Sequence, residues 1–302
     1  MVSICYWAAF SSIGAVTFGP APAWGIQPEP TMAHGLLKGK RGIISGALND
    51  QSIAWKVAEL AYAEGASIVL TNAPVAMRMG EINKLAEAIK APVIGADATK
   101  DEDLEKLFTE GQEKLGGKVD FVLHSIGMSP NVRKGKAYDD LNYEWYKQTL
   151  DISAMSLHRM LQAAHKKEAL AEWGSVVALS YIAAQRTFPG YGDMADAKAL
   201  LESIARSWGY HLGQSKKVRV NTVSQSPTMT TAGSGIKGFG GFYGFAEEMS
   251  PLGNASAEAC ANYCITLFSD LTRYVTMQNL FHDGGFSSSG VTQKVMEKFM
   301  TE

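Results

Sequence analysis

The amino-acid sequence predicts one α/β domain built on a doubly wound, parallel sheet of about seven strands. From residue 39 onward, short apolar runs alternate with segments whose apolar residues recur at helical spacing. Strands that alternate with helices need crossover connections, so neighbouring strands run parallel, and these crossovers are right-handed nearly always. The chain has 302 residues, 46% of them apolar, and we find no internal repeat or linker after residue 38. One large core is therefore expected.

Seven short runs of apolar or β-branched residues are predicted to be the strands of this sheet. The first run ends at Gly46, the third at Asp97 and the fourth at His124. The predicted strands are residues 41–45, 67–71, 92–96, 119–123, 175–179, 218–223 and 276–281.

The helices are predicted from apolar stripes that lie between those runs. The first stripe contains Ile53, Val57 and Leu60 and begins near Ser52. Further stripes predict helices over residues 82–89, 104–115, 142–170, 191–211 and 256–269, with 142–170 interpreted as one long helix that can bend. Regular alternation of strand and helix is the pattern of a Rossmann fold.

Charge and cysteine usage exclude several classes of protein. The formal net charge is −2, which gives no reason to expect nucleic acid or another polyanion as a partner. The three cysteines, Cys5, Cys260 and Cys264, lack the spacing of a disulfide framework, which favours a reducing compartment and a cytoplasmic protein. Cys260 and Cys264 share an apolar helical stripe without a His or acidic partner at ligand spacing. We therefore interpret them as core residues and predict no metal site.

The first 31 residues differ from the rest because they contain no Lys or Arg. Their apolar run, residues 4–18, is interrupted by Ser11, Ser12 and Gly14 and is shorter than the roughly 20 residues of a membrane helix. It also lacks the positive charges of a secretory or transit peptide. We interpret residues 1–31 as a disordered or non-native extension and residues 32–302 as the folded domain. A weak signal or an unusual targeting peptide is the alternative.

The turn after the first predicted strand has the features of a phosphate-binding site. Gly46 permits a tight turn and a close backbone approach, and a helix beginning near Ser52 directs unpaired N–H groups and its positive dipole end at the turn. This combination binds the pyrophosphate of a dinucleotide. The spacing is not the usual G-x-G-x-x-G, and a simple turn followed by a helix cap is the alternative interpretation.

Two further predicted strands end in residues that suit a dinucleotide. Asp97 can accept a hydrogen bond from an adenine amine, and Gly127 in the run 125–127 lets backbone approach a ribose. In an open parallel sheet, ligands bind beyond the carboxyl ends of the strands at the switch point. A helix cap at Asp97 and a plain turn at Gly127 are the alternatives. The second strand ends at Asn72 without an acidic residue, and Arg78 is expected to face solvent, so NADH is favoured weakly.

Tyr191 and Lys198 form a candidate catalytic pair. They are seven residues apart, which places them on nearly the same helix face and about 10 Å apart along the axis. A tyrosine at the start of this helix can place its hydroxyl against a carbonyl oxygen, and the lysine can hold a nicotinamide ribose. Cationic neighbours are expected to favour a phenolate at Tyr191. A core tyrosine and a solvated surface lysine are the alternative interpretation of this pair.

The ordered set of motifs resembles the enoyl-acyl-carrier-protein reductases, a divergent branch of the short-chain dehydrogenases. Tyr181, Tyr191 and Lys198 match the Tyr-x9-Tyr-x6-Lys signature of that family. The resemblance covers about residues 35–290. It also includes the phosphate turn 46–54, Asp97, the run 125–127, the segments 219–221, 226–227 and 234–237, and the run 282–286.

The resemblance implies a reaction and a set of site residues. Hydride would pass from NADH to the β-carbon of a trans-2-enoyl thioester linked to acyl carrier protein. Tyr191 would hold the developing enolate oxygen, Lys198 would bind the cofactor ribose and Tyr181 would line the substrate site. A cytoplasmic homotetramer that binds neither nucleic acid nor membrane is also implied. The implied cofactor-binding residues are Gly46, Ser52, Ile53, Asp97, Ala98, Ser125, Ile126, Gly127, Lys198, Pro227, Thr228 and Thr230, and the implied substrate-binding residues are Met128, Ser129, Tyr181 and Tyr191.

The chain departs from the family's pattern at three places. Relatives commonly have Pro-Ile where this chain has Pro227 and Thr228, which alters an apolar wall. The second strand lacks the family's frequent Gln. After Lys237 the chain continues Gly-Phe-Gly-Gly without the further basic residues of some relatives, which weakens the expected docking patch for an acidic carrier protein.

Residues 233–245 are predicted to form a mobile lid over the acyl group. The segment contains six glycines, which bring backbone freedom, and four aromatic residues that can cover an apolar chain. The alternative is a flexible surface loop whose aromatics pack on the core or on another subunit.

Two other functions are compatible with a dinucleotide-binding fold. A reductase of ketones or alcohols predicts Tyr-x3-Lys, but Ala195 stands where that lysine belongs. A dinucleotide-binding regulator would bind NADH without turnover. Oxidation of NADH by an enoyl thioester, compared with a ketoacyl thioester, distinguishes the three.

Overall fold

Seven parallel strands form one sheet in the computed structural model, which describes residues 33–234 and 238–300. The strands are β1 (Arg41–Ser45), β2 (Ser67–Asn72), β3 (Val93–Gly95), β4 (Val119–His124), β5 (Leu170–Ser180), β6 (Arg219–Gln225) and β7 (Asn279–His282). They lie in the order β3-β2-β1-β4-β5-β6-β7. The order reverses between β1 and β4, so the doubly wound sheet predicted from the sequence is confirmed, and its switch point lies between these two strands.

Helices cover both faces of the sheet. The described helices are α1 (Ile53–Ala63), α2 (Pro74–Met79), α3 (Ile82–Ala88), α4 (Asp101–Leu115), α5 (Pro130–Arg133), α6 (Tyr143–Leu150), α7 (Ser156–Lys166), α8 (Gly192–Lys216), α9 (Thr231–Ser234), α10 (Phe239–Met249), α11 (Ala257–Phe268) and α12 (Gln293–Glu297). Helices α4, α7 and α8 contribute to the core on one face, and α1, α3 and α11 to the core on the other. Cys260 and Cys264 are fully buried in the second core, as predicted.

Close packing of the strands on these cores depends on residue size at particular positions. In β1, a Cβ added at Gly42 would lie 2.1 Å from the ring of Phe121 on β4. That ring stacks on Phe268 of α11 with ring centroids 4.6 Å apart. Glycine at position 42 therefore leaves the space in which the central strand, its neighbour and a helix interdigitate.

The predicted helix 142–170 is helical from Tyr143 to Lys166 and is wrong only at its end. A π-helix, Asp151–Met155, separates α6 from α7, and α7 stops at Lys166. The chain then turns at Glu168, whose φ is +48°, and Leu170 already belongs to β5. Apolar periodicity cannot separate the last turn of a buried helix from the first residues of a buried strand, so the boundary was missed.

The last strand is shorter than predicted. The sequence predicts a strand over 276–281, but β7 begins at Asn279 because Met277 has a φ of +62°. The Met277 N–H donates to the Val220 carbonyl at 2.8 Å, so this segment already lies alongside β6 before regular pairing starts. A methionine with a left-handed backbone conformation cannot be recognised from the spacing of apolar residues.

Residues Ala33–Glu302 form one compact unit. The predicted extension, residues 1–31, lies outside the described residues. Within the described part of the chain, no helix has the length and apolarity needed to cross a bilayer. The segment predicted as a mobile lid contains the end of α9 and most of α10, and residues 235–237 between those helices lie outside the described range.

Candidate active site

The turns after β1 and β4 touch at the switch point of the sheet. Gly46 has a φ of +92°, and a Cβ added there would lie 2.0 Å from the carbonyl oxygen of Ser125. Its N–H donates to the Thr71 carbonyl of β2. Gly46 was predicted to permit a close backbone approach, and the structure identifies the group that it approaches as the main chain of the neighbouring turn.

The predicted phosphate turn is held by its own side chains. The Ser52 hydroxyl donates to the Asn49 carbonyl at 2.6 Å and accepts from the Leu48 N–H at 3.2 Å. Ser52 precedes α1, but its side chain does not cap that helix. As the first residues of the helix, Ile53 and Ala54 have N–H groups without an intrahelical acceptor. The groups of this turn that are available to an anion are therefore main-chain donors at Ile53 and beyond, and Ser52 holds the turn that precedes them.

Asp97 and Ala98 lie at the end of β3, on the side of the crevice predicted for adenine. The Asp97 carboxylate accepts from the N–H and hydroxyl of Thr99 at 3.0 and 2.8 Å. It thus closes a local turn rather than capping α4, whose first residue is Asp101. Ala98 is buried, and Arg78 on α2 is exposed, as predicted.

Gly127 opens a route from the crevice to the ammonium of Lys198. A Cβ added at Gly127 would lie 3.7 Å from Lys198 Nζ, 3.9 Å from Met194 Cε and 4.0 Å from Ser153 Oγ. Ser125 and Ile126, which precede it, are half-buried at the same edge. A side chain at position 127 would occupy the space above the ammonium, which is where a ribose hydroxyl of a bound dinucleotide could reach it.

Tyr191 and Lys198 lie on one helix at the carboxyl edge of the sheet, as predicted. Tyr191 directly precedes α8, and Lys198 follows two turns along it. Lys198 is only 8% exposed, and its Nζ donates to the Leu179 carbonyl at the end of β5, 2.7 Å away. Burial lowers the pKa of Lys198 to about 8, an effect that the nearby Glu202 charge opposes. The interpretation of Lys198 as a solvated surface charge is therefore wrong.

Tyr181 and Tyr191 pack against each other with ring centroids 5.1 Å apart. Burial raises the pKa of both phenols above the ordinary range, and for Tyr181 the neighbouring Tyr191 and Asp283 act in the same direction. The expectation that cationic neighbours favour a phenolate at Tyr191 does not hold for the protein alone, because desolvation dominates. A protonated phenol is a hydrogen-bond donor, which suits an oxyanion-binding role.

His124 is a buried residue of the site that the sequence interpretation did not single out. It ends β4, is fully buried, and its Nε2 lies 2.8 Å from Ser156 Oγ, while its Nδ1 has no hydrogen-bond partner among the described residues. Burial and the Lys198 charge lower the pKa of His124 to about 3, so it is neutral at pH 7. Of these two basic groups, Lys198 is therefore the one that carries charge.

Met128 and Ser129, predicted to bind substrate, are tied into the protein by polar contacts. The Met128 N–H donates to Ser153 Oγ of the π-helix at 3.0 Å. Ser129 is buried; its hydroxyl donates to Asp193 at 2.6 Å and accepts from the Val132 N–H. The side chain of Ser129 therefore holds the start of α5 against α8.

The segment after β6 faces the phosphate turn across the crevice. Pro227 is buried, and the Thr228 hydroxyl donates to the Ser226 carbonyl at 3.0 Å. Thr230 Oγ1 accepts from the Gly233 N–H at 3.0 Å. Beyond it, Thr231 Oγ1 accepts from Asn49 Nδ2 of the phosphate turn at 2.8 Å. This bridge joins segments 182 positions apart in the chain, and no local sequence signal could have predicted it.

An apolar cavity of about 660 Å³ adjoins the two tyrosines. Phe188 connects the tyrosines to the cavity, since its ring lies 5.4 Å from Tyr181 and 5.8 Å from both Phe242 and Phe286, measured between centroids. Arg186 is the charged residue among those that line it. The lining residues are Ile182, Arg186, Thr187, Phe188, Pro189, Gly238, Gly241, Phe242, Phe245, Met249, Phe286, Ser287 and Ser289.

Other site residues missed from the sequence are buried acids of α8. Asp193 accepts hydrogen bonds from Ser129, Asn131 and Thr149, and Glu202 lies one turn beyond Lys198. Both fall at positions where an apolar stripe would have a buried residue. Glu202 stands four residues after Lys198, so the stripe that joins Tyr191 to Lys198 already pointed to it.

The residues present fit a dinucleotide whose pyrophosphate meets the start of α1 and whose nicotinamide ribose meets Lys198. The opening above Lys198, which a Cβ at Gly127 would fill, is the observation that decides this fit. Together with the tyrosine pair and the apolar cavity, it defines a dinucleotide-dependent reductase of the short-chain dehydrogenase class. A model of the enoyl-(acyl carrier protein) reductase family matches residues 46–287. The chain belongs to the enoyl-(acyl carrier protein) reductase family, which confirms the resemblance.

Individual relatives agree with this assignment. The chain is 34% identical over 261 residues to the NADH-dependent enoyl-acyl-carrier-protein reductase 1 of Rhizobium meliloti, covering 86% of this chain and 94% of that protein. It is 34% identical over 262 residues to the FabI enzyme of Rickettsia bellii, covering 86% of this chain and 98% of that one. The crystal structure of the FabI–NADH complex from Alistipes finegoldii superposes with a TM-score of 0.87 at 65% identity, covering 88% of this chain and 94% of that one.

Proposed function

We propose that the protein reduces trans-2-enoyl thioesters carried by acyl carrier protein, with NADH as the hydride donor, in the last step of the fatty-acid elongation cycle. The observation that carries this proposal is the placement of Tyr191 and Lys198 on one helix, beside both the opening at Gly127 and the apolar cavity. A hydride acceptor with a polar thioester and an apolar tail needs these three features together.

The residues of the chain divide the work of the reaction. Bound NADH supplies the hydride that adds to the β-carbon. Tyr191 donates its hydroxyl hydrogen bond to the thioester oxygen as negative charge develops there, and Tyr181 packs against Tyr191 and limits its freedom. Lys198 holds the nicotinamide ribose through its ammonium. A proton must also reach the α-carbon, and water that enters along the crevice can deliver it.

The cofactor is bound by residues that follow the carboxyl ends of the strands. Main-chain donors near Ile53 hold the pyrophosphate behind Gly46, and Ser52 keeps their turn in shape. Asp97 and Ala98 flank the adenine side, and the run 125–127 faces the ribose. Pro227, Thr228 and Thr230 close the crevice from the β6 side. The side chain of Ser129 also positions α5, and Met128 and Ser129 border the substrate in this region.

The acyl chain is held in the cavity under α10. Phe242, Phe245 and Met249 of that helix face Phe188 and Phe286 across the cavity, so the helix and the opposite wall together exclude water from an apolar chain. Within the predicted lid, α10 contains Gly240, Gly241 and Gly244, and Gly238 directly precedes it.

The assembly and location of the enzyme follow the family. We expect a cytoplasmic homotetramer, in a compartment that supplies NADH and keeps thiols reduced, with no nucleic-acid or membrane partner. Residues 1–31 are expected to be dispensable, so removal of this extension is expected to leave turnover unchanged.

Turnover measurements test the proposed function. Purified protein is mixed with NADH and a trans-2-enoyl N-acetylcysteamine thioester, a 3-ketoacyl thioester or no acceptor, and the loss of NADH absorbance is followed. Oxidation with the enoyl compound alone is expected, and a carrier-linked enoyl substrate should have a lower KM. Oxidation with the ketoacyl compound alone would identify a ketone reductase. NADH binding without any oxidation would identify a regulator.

A further inference from the structure

Two charged side chains of α8 face the end of β5 from consecutive turns. Lys198 and Glu202 are four residues apart, which places them on the same stripe of the helix. They are 8% and 4% exposed. A buried carboxylate one turn from a buried ammonium is costly unless each group is satisfied, so the contacts of Glu202 show what it does for the site.

Glu202 accepts hydrogen bonds from residues on either side of Tyr181, at the end of β5. Its Oε1 accepts from the Ser180 hydroxyl at 2.7 Å, and its Oε2 accepts from Gln185 Nε2 at 2.9 Å. Lys198 donates to the carbonyl of Leu179, the residue before Ser180. The two side chains thus form hydrogen bonds at three places: Leu179 and Ser180 at the end of β5, and Gln185 in the short turn after Tyr181. Tyr181 lies between the points that they fix.

Glu202 also supplies negative charge near the ammonium. Two groups of other elements interact with Lys198: the Leu179 carbonyl of β5 accepts its hydrogen bond, and His124 of β4 is a base that carries no negative charge. His124 is neutral at pH 7 and disfavours a charge on Lys198 when it is protonated. The Glu202 carboxylate acts on Lys198 in the opposite direction.

We propose that Glu202 is a positioning residue of the reaction, which provides the counter-charge of the Lys198 ammonium and fixes the strand end that places Tyr181. It does not touch the reacting atoms and acts through these two neighbours. The inference deepens the proposed function, because it rests on Lys198 as the residue that holds the cofactor ribose.

Glu202→Gln isolates the charge. The substituted amide can still accept from Ser180, and the exposed Gln185 can turn its own amide to accept from the new side-chain N–H group. With the carboxylate gone, Lys198 loses its proton at a lower pH. NADH affinity, measured by fluorescence titration from pH 6 to 9, should therefore fall at a lower pH than in the wild type. Near pH 8 we expect a Kd about three- to tenfold higher, since lowering a pKa by one changes the protonation equilibrium about tenfold.

Two further variants separate charge from geometry. Ser180→Ala removes a hydrogen bond without charge, so the pH midpoint of NADH binding should stay in place while KM for the enoyl thioester rises severalfold. Asp196→Asn is the matched control, because Asp196 is another acid of α8 whose carboxylate binds Tyr138 and Tyr146 instead of the Lys198 region. Its pH midpoint should equal that of the wild type.

The outcomes decide between the proposals. An unshifted pH midpoint in folded Glu202→Gln protein would overturn the role of Glu202, whatever the enzyme turns over. Failure of the wild type to reduce enoyl thioesters would overturn the proposed function and leave the binding titration informative. If Glu202→Gln folds poorly, the double variant with Lys198→Met should recover its melting temperature, because the unpaired charge is gone. No recovery would count against charge pairing.

Discussion

Lys198 meets opposed demands at the scale of a single residue. Its ammonium must stay charged to hold a ribose, yet it is buried, and desolvation lowers its pKa to about 8. The Leu179 carbonyl and the Glu202 charge offset part of that cost. The role proposed for Lys198 therefore comes at the expense of stability.

Replacing Lys198 with Met is expected to remove the pH dependence that the buried ammonium gives to the stability of the fold. Between the folded pKa of about 8 and the ordinary value of 10.5, the unfolded chain binds more protons than the folded one, so wild-type stability rises with pH across that window. The variant lacks this rise, so its stability relative to the wild type should fall by about 3 kcal/mol between pH 7 and pH 10.5.

Urea denaturation of both proteins at several pH values measures this difference in unfolding free energy. NADH binding by the variant should be weakened over the same series. A difference in stability that does not change with pH would contradict a buried, titrating ammonium at this position.

Tyr191→Phe is expected to separate chemistry from binding. The variant keeps the ring that packs on Tyr181 and loses only the hydroxyl. Removing one donor to a developing oxyanion typically lowers kcat about 100-fold or more. NADH affinity should change by less than about twofold, because Tyr191 is not placed to hold the cofactor pyrophosphate or adenine. Steady-state kinetics and fluorescence titration give the two numbers, and loss of affinity with unchanged kcat would reverse the assigned roles.

At the scale of secondary-structure elements, α10 is unusual because a helix over the active site is rich in glycine. Gly240 and Gly244 have no atom within 4 Å of an added Cβ, so packing does not require glycine at either position. Glycine lowers helix stability by about 1 kcal/mol relative to alanine. The glycine content of α10 therefore supports the proposed lid, because close packing does not account for it.

Alanine at both Gly240 and Gly244 is expected to hold α10 closed. Each substitution should add about 0.5–1 kcal/mol of helix stability. Hydrogen exchange in residues 239–249 should slow, KM for a long-chain enoyl substrate should fall, and kcat should drop severalfold if opening limits product release. Gly290→Ala is the control, since an added Cβ there also meets open space but lies outside the helix. Faster exchange across α10 in the double variant would contradict the proposal.

The limits of prediction from sequence are clearest among these elements. Strand positions and the order of helices follow from apolar periodicity, which reports burial, and the Tyr181, Tyr191 and Lys198 spacing reports one helix face. The π-helix at Asp151–Met155 and the left-handed Met277 depend on contacts with distant chain segments, so periodicity does not report them. The hydrogen bond from Ser129 to Asp193 was not foreseen because the two residues are 64 positions apart.

At the scale of the whole molecule, the sheet and both cores support a cofactor crevice whose walls come from the ends of β1, β3, β4 and β6. A ligand that bridges these turns binds the folded chain only, so it stabilises the fold by mass action. At a free concentration about 100 times its Kd, the gain is about 2.7 kcal/mol. The same crevice determines which dinucleotide is accepted.

NADH is expected to raise the melting temperature more than NADPH at equal concentration. The tip of β2 presents Asn72, whose amide donates to the Ala47 carbonyl, followed by Ala73, so neither residue of the tip is a cation that could receive a 2′-phosphate. A rise of several degrees with NADH, and a smaller one with NADPH, should be seen by scanning calorimetry. An equal or larger rise with NADPH would contradict this account of the β2 tip.

Gly46 is required by the packing of the sheet as well as by the binding of a cofactor. Any side chain there would push β1 and β4 apart at the seam of the sheet, where the carbonyl of Ser125 already fills the space. Substitution of Gly46 would therefore disrupt the fold even if the cofactor were no longer used. A related protein that had lost catalysis would still have an intact nucleotide-shaped cleft. The cleft alone would therefore not show whether such a protein is an active enzyme.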